Sequence, residues 1–331
     1  MNAQLLPPNQ FHRFYRGGAR IDALRGVPAG EDGRPEDWIG STATSWGEES
    51  EGLSRLADGT VLREAIEADP EGYLGREHVE RWGPGPALLV KLLDAGQRLP
   101  VHFHPGRRFA REHLGLRFGK TEAWIILEAE PGAAVHVGPR KPLDPAAVRG
   151  WVDVQDVDEM LGALRRLPVA AGDAVFVPAG TMHAIGGGIL LLELQEPTDL
   201  SVLVEWRPFG VDTGAEHLEL GWDTALAAMD CEPADLGALT AAGDGGLLPA
   251  AADPYFRAER VRGGDRLAPS FAVLLVLEGE GALGSGAGDE LELRRGNTVL
   301  VPFGAGATTL TGEVEAIRCL PPAPTAAEGA W

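Results

Sequence analysis

Three histidines and one glutamate carry the clearest chemical signal in this chain. In PVHFHP (100–105), His102 and His104 stand two residues apart, and on an extended strand that spacing turns both imidazoles to one face. Glu122 heads the next apolar run in GKTEAW (119–124), and His183 follows a third run in PAGTMHAIG (178–186). Adjacent strands can bring all four side chains together. Three neutral imidazoles and a carboxylate form an N/O donor set that suits Zn2+, Mn2+ or Fe2+ and leaves a position open for water or substrate, as catalytic sites do. One divalent metal is the expected cofactor, with Zn2+ preferred. His12, His78, His113, His136 and His217 read as surface or core residues, with His113 on a turn beside Arg111 and Glu112.

The elements that must position these residues are mostly strands. Forty-five glycines and 25 prolines punctuate short runs rich in Val, Ile and Leu. The runs are AWIILEAE (123–130), AAVHVG (133–138), DAVFVPAG (173–180), GILLLELQ (188–195), SVLVEW (201–206), FAVLLVLEG (271–279) and NTVLVP (297–302). Helical spacing is confined to GTVLREAIEADP (59–70), a two-piece stretch over 144–167, and GWDTALAAMD (221–230). An internal repeat organises the strands: GDAVFVPAGTMH (172–183) matches GNTVLVPFGAGA (296–307) as a glycine turn, a strand and a Pro-Gly bend. Ala307 occupies the place of His183 in the second copy. Two related β-barrel halves joined near 208–265 are expected, with only the first armed for chemistry.

Composition narrows the class. With 44% hydrophobic and 24% charged residues the chain is an ordinary globular one, and its 331 residues leave room for two packed units. Cys231 and Cys319 have no CxxC or zinc-like spacing, which fits a reducing cytoplasm. The N-terminus lacks the apolar core of a secretory signal, and no run approaches the roughly 20 apolar residues that span a bilayer. A net charge of −20 repels nucleic-acid phosphates and anionic lipid, so neither nucleic acid nor membrane is an expected partner. A small-molecule substrate and a monomer or homodimer are expected.

The runs LLVKLLDAGQRLPVHFHP (88–105), GKTEAW (119–124) and AGDAVFVPAGTMHAIGGGILLLELQEPTD (171–199), with DWIGST (37–42), resemble the class I mannose-6-phosphate isomerases of the cupin superfamily, especially their short bacterial form. The resemblance spans roughly residues 35 to 206. It implies a mainly β fold of two cupin-type jelly-roll halves with inserted helices. Residues 1–207 would form the metal-binding half, with an N-terminal extension and a helical insertion at 144–167. Residues 208–331 would form a linker helix and a degenerate second half. It also implies that His102, His104, Glu122 and His183 are the metal ligands, and that Lys91, Lys120 and Glu193 line the site.

Those last three residues also stand out physically. Lys120 lies two residues from Glu122 and would set an ammonium beside the metal, to hold a substrate oxygen or shuttle a proton with a depressed pKa. Lys91 interrupts the apolar ALLVKLLDA, and Glu193 lies within ILLLELQE; a charge so buried needs a partner or a function. Two positions depart from the family. Its phosphate-binding serine is replaced by Pro100, and its phosphate-clamping arginine falls in SVLVEW, where Val202 and Leu203 stand. Arg207, Arg107 and Arg108 are the cations nearest in sequence, and Arg207 joins Lys91 and Lys120 as a substrate-binding candidate.

The implied reaction is an aldose–ketose interconversion of mannose 6-phosphate and fructose 6-phosphate, or of a related unphosphorylated sugar, through a cis-enediol. Glu193 or Lys120 would move the proton between C1 and C2, and Lys91 would position a remote oxygen. Two rivals share the donor set: a cupin oxygenase with Fe2+, which the long separation of His104 from Glu122 disfavours, and a non-catalytic sugar-binding module.

Overall fold

The computed structural model describes residues 1–211, 214–240, 246–285 and 288–325. Its first half is a pair of antiparallel sheets. One has six strands in the order Gln10–Phe11, Glu36–Ile39, Leu89–Ala95, Ile189–Gln195, Glu122–Ala129 and Ala174–Val177. The other has five, in the order Val202–Leu203, His102–Phe103, His183–Ile185, Ala134–Pro139 and Leu164–Pro168. The second half is one seven-stranded sheet built around two long paired strands, Ala272–Ser285 and Thr308–Leu320.

Burial explains the unbroken apolar runs. The strands Leu89–Ala95 and Ile189–Gln195 are buried at every position, because both faces of their sheet are covered. Alternation sets Leu190, Leu192 and Leu194 on one face and Leu191, Glu193 and Gln195 on the other. One continuous core joins Ile125, Leu190 and Leu192 to Phe256, Val273, Leu275 and Ile317 of the second half. The repeated strand is present in both halves, as Ala174–Val177 and Thr298–Val301. Chain order and sheet membership part company at the N-terminus: Gln4–Leu5 pairs with Leu300 and Val299 of the second half.

The helical insertion is two helices, Pro145–Val154 and Val157–Ala163, started by Asp144 and Asp156 side chains that accept from Ala146 N and Glu159 N. The expected helix does not run on to 167. Leu164–Pro168 instead pairs as an edge strand with Ala134–Pro139, a sheet contact that overrides the helical spacing. SVLVEW shortens to the strand Val202–Leu203, and the helix expected at 221–230 shortens to Trp222–Leu226. Gln155, between the two inserted helices, donates to Val204 O at 2.8 Å and accepts from Trp206 N at 2.9 Å, which ties down the chain just after Leu203. The expected boundary at 207/208 falls at the single turn Arg207–Phe209, and residues 212–213, 241–245, 286–287 and 326–331 of the expected second half lie outside the described residues.

Candidate metal centre and active site

The two sheets of the first half deliver different groups to the space between them. His102 and His183 are direct partners in the five-stranded sheet, and His104 lies two residues beyond His102. Ring centroids are 4.1 Å apart for His102 and His183 and 4.9 Å for the other two pairs. Glu122 comes from the facing six-stranded sheet, its Oε1 3.0 Å from His104 Nε2 and its Oε2 3.8 Å from His183 Nε2.

Each imidazole is locked by a backbone carbonyl. His102 Nδ1 lies 2.8 Å from Pro100 O, His104 Nδ1 2.7 Å from Leu200 O, and His183 Nδ1 2.7 Å from Thr181 O. A carbonyl only accepts, so each Nδ1 holds the ring proton and each Nε2 presents a lone pair. Burial lowers all three imidazole pKa values, to about 3 for His183, and neighbouring rings add to the effect at His102 and His183, so the rings are neutral near pH 7. Burial alone would raise Glu122, but the Lys120 ammonium 3.4 Å away helps hold it well below the ordinary carboxylate range.

This arrangement passes a direct test for a cation. The Nε2 atoms of His104 and His183 are buried without hydrogen-bond partners, and one faces a carboxylate oxygen at 3.0 Å. Reading that approach as an ion pair would need a second proton on a ring that burial keeps neutral. A lone pair and an anionic oxygen so placed repel unless a positive ion lies between them. One donor atom from each of the three imidazoles lies within 4.8 Å of the others, a span that an ion with bonds of about 2.0–2.2 Å bridges with small side-chain shifts. The Nδ1 contacts are the outer hydrogen bonds that fix tautomer and ring direction at metal sites. His102, His104 and His183 could hold a metal, with Glu122 beside them; the donor set alone does not select the ion.

Beside the cluster runs a buried charged wall. Glu193 stands opposite Lys91 on one side and Trp124 on the other, and Trp124 Nε1 lies 3.3 Å from oxygens of both Glu193 and Glu122. Lys91 sits 4.4 Å above the Trp38 ring, 3.3 Å from Glu36 and 3.9 Å from both Glu193 and Asp199. Lys120 lies 3.4 Å from Glu122 and 3.7 Å from Asp199. Burial and the neighbouring Glu122 push the Glu193 pKa well above its ordinary value. The expected depressed pKa of Lys120 is corrected here: burial lowers it, but Glu122, Asp199, Glu193 and Glu36 outweigh burial and raise it. Lys120 is a firm cation.

The wall encloses one end of a cavity with about 940 Å³ of empty space, partly continuous with solvent, which Lys91, His102, Lys120, Glu122 and Glu193 line together. Arg207 does not reach it. That residue is exposed, with its guanidinium 5.3 Å from the Trp206 ring. Arg107 is buried elsewhere, ion-paired with Glu196 and 4.7 Å from the Tyr255 ring, and exposed Arg108 pairs with Glu112. Among the lining residues that escaped the sequence reading are Arg13, Tyr15, Glu36 and Asp199. Arg13 bonds Glu36 at 3.1 Å and Asp199 at 3.2 Å, and Tyr15 donates to Glu36. Only Glu36 left a trace, since Glu36 and Trp38 alternate on one strand face, and Trp38 Nε1 donates to Glu36 at 2.6 Å.

No protein-family model matches the chain. The chain is 29% identical over 330 residues to a mannose-6-phosphate isomerase of Streptococcus mutans, covering 96% of this chain and 98% of that one. It is 30% identical over 245 residues to the mannose-6-phosphate isomerase ManA of Bacillus subtilis, covering 70% of this chain and 73% of that protein. Among solved structures, a mannose 6-phosphate isomerase from Bacillus subtilis superposes with a TM-score of 0.77 at 24% identity, covering 96% of this chain and 99% of that one. A phosphomannose isomerase variant from Salmonella typhimurium superposes with a TM-score of 0.74 at 18% identity, covering 97% and 100%. The fold is thus shared along nearly the whole length, and the identity to the Bacillus subtilis ManA protein shows that this chain belongs to the mannose-6-phosphate isomerase family.

Proposed function

We propose that this protein is a metal-dependent aldose–ketose isomerase acting on a mannose-type sugar, with Glu193 as the group that moves the proton between C1 and C2. One observation carries this reading: Glu193, whose pKa is pushed up, lines the same cavity as Glu122 and as His102, one of three clustered imidazoles.

His102, His104, Glu122 and His183 would hold one divalent cation, which supplies a Lewis acid for the carbonyl and neighbouring hydroxyl oxygens of the sugar. Lys120, a firm cation beside Glu122, donates to a substrate oxygen that gains charge as the cis-enediol forms. Glu193 is a stronger base than an ordinary carboxylate, and its deprotonated form takes the proton from one carbon and returns it to the other. Lys91 opposite Glu193 holds that side chain in place and offers an ammonium to a more remote hydroxyl. The buried strands on both sides keep these groups fixed. The identity of the metal is left open by this donor set; Zn2+ is our choice, with Mn2+ and Fe2+ as alternatives.

The test is isotope exchange. In deuterated water, deuterium should enter C2 of recovered aldose or C1 of the ketose. Efficient isomerisation with no exchange would replace the enediol route by a hydride shift. Turnover that requires O2 would replace the isomerase reading by an oxygenase.

A further inference from the structure

The second half repeats the sheet that carries the charged wall. Arg257–Arg262, Thr308–Leu320, Ala272–Ser285 and Thr298–Val301 lie side by side in the same order as Leu89–Ala95, Ile189–Gln195, Glu122–Ala129 and Ala174–Val177 in the first half. On the second strand of each set one charged residue faces an opposite charge on the first strand. Glu193 faces Lys91 in the first half, and Arg318 faces Glu259 in the second. The sign of the pair is reversed.

Residues directly opposite across a ladder share a sheet face, as do residues two apart on one strand, which sets Arg257, Glu259, Arg318 and Leu320 on the same face. All four line a cavity with about 1190 Å³ of empty space, partly continuous with solvent, which Leu74 and Phe303 line as well. Arg318 is only 6% exposed, yet its guanidinium is incompletely satisfied. Nη2 donates to Ala268 O at 2.7 Å and Nη1 reaches the half-buried Glu259 at 3.3 Å, but Nε is buried without a hydrogen-bond partner. Arg257 gives Nε and Nη2 to Pro321 O, at 3.2 and 3.1 Å, and has no carboxylate partner among the described residues. Burial lowers the Arg318 pKa, Glu259 opposes that shift, and the nearby Arg257 adds to it, so the two guanidiniums repel each other.

We propose that this cavity is a second ligand site, separate from the metal centre, which binds the oxyanion of a small phosphomonoester or carboxylate between Arg257 and Arg318. The anion meets the unpartnered Nε donor and relieves the repulsion of two guanidiniums that share one carboxylate. Guanidinium forks match the paired oxygens of either group, and such charge-assisted bonds are the strong ones. The organic part of the ligand lies against Leu74 and Phe303, an aromatic ring left 40% exposed beside the two arginines. The site does not depend on the isomerase reading above.

The test is calorimetric titration of the full chain, loaded with a divalent metal, with glycerol 3-phosphate and with succinate. Saturable binding of at least one is expected, and the anion that binds more tightly names the ligand as phosphomonoester or carboxylate. Arg318→Met and Arg257→Gln should each weaken that binding by about tenfold or more, the loss of one hydrogen bond to a charged group. Arg257 is half-buried and outside any ion pair among the described residues, so Arg257→Gln serves if Arg318→Met does not fold. Lys120→Met, which alters only the cavity at the metal centre, should leave the binding in place. Binding that Lys120→Met removes and Arg257→Gln leaves unchanged puts the anion at the metal centre and overturns the inference. Absence of saturable binding of both anions overturns it as well.

Discussion

Lys91 and Glu193 face each other directly across two antiparallel strands, with Nζ 3.9 Å from Oε2, yet they do not form a simple ion pair. Lys91 is closer to Glu36, and Glu193 is closer to the Trp124 indole it shares with Glu122. The charge of Lys91 is spread over three carboxyl groups and one indole ring. Burial and the neighbouring Glu122 therefore keep the Glu193 pKa well above its ordinary value despite Lys91.

As the proposed acid–base group, Glu193 is the position most sensitive to a conservative change. Glu193→Gln keeps the shape and removes the acid–base function, so kcat should fall by about 10²–10⁴ while KM changes little. Steady-state kinetics together with metal analysis would check this; a variant that keeps its metal and its full kcat would remove Glu193 from the mechanism.

Metal removal should abolish turnover and lower the melting temperature, since an ion present at a hundred times its Kd stabilises the folded state by about 2.7 kcal/mol. His104→Ala and His183→Ala should fold yet fail to retain metal after dialysis. Calorimetric melts before and after chelation, with Zn2+, Mn2+ and Fe2+ added back separately, would show the loss and rank the ions.

Replacing Lys91 by methionine keeps much of its volume and strands Glu36 and Asp199 beside one fewer cation. Breaking a buried charge cluster in this way should destabilise the protein by about 3–5 kcal/mol. Adding Glu36→Gln to Lys91→Met should recover part of that loss, because one stranded charge is gone. Urea titrations of the two variants would decide; equal midpoints would mean that Lys91 contributes nothing to Glu36.

Acid should weaken the fold through the same cluster. Burial would raise Glu36 and Asp199, but Arg13 and Lys91 hold both below their ordinary values of 4.5 and 3.8. A carboxylate with a depressed folded-state pKa adds stability that is fully present above its unfolded value and disappears as the pH falls through the folded one. Stability should therefore hold down to the ordinary values and then fall. Glu36→Gln should be less stable near neutrality and show a shallower decline in acid, as thermal melts across that range would report.

The sequence made the clustering of His102, His104, Glu122 and His183 legible because its signal is local. His102 and His104 share a strand face, and Glu122 and His183 mark the ends of neighbouring strands. Lys91 and Glu193 were legible as charges inside apolar runs. Arg13 and Asp199 were not, since 186 residues separate two side chains that meet only in the folded chain. Leu164–Pro168 was misread because LRRL continues a helical spacing, while its edge-strand pairing depends on a partner some thirty residues earlier. Arg207 is close to the site in sequence alone: the turn at Arg207–Phe209 leaves it in solvent.

The pairing of Gln4 with Leu300 has a consequence for how the protein is made. At about 5–20 residues per second, the ribosome takes roughly 15–60 s to reach the strand that the first residues need. The sheets that bring the donors together can close during that interval. The opening segment must wait unpaired and then dock on the last sheet to emerge, so the order of translation is reversed in the order of completion.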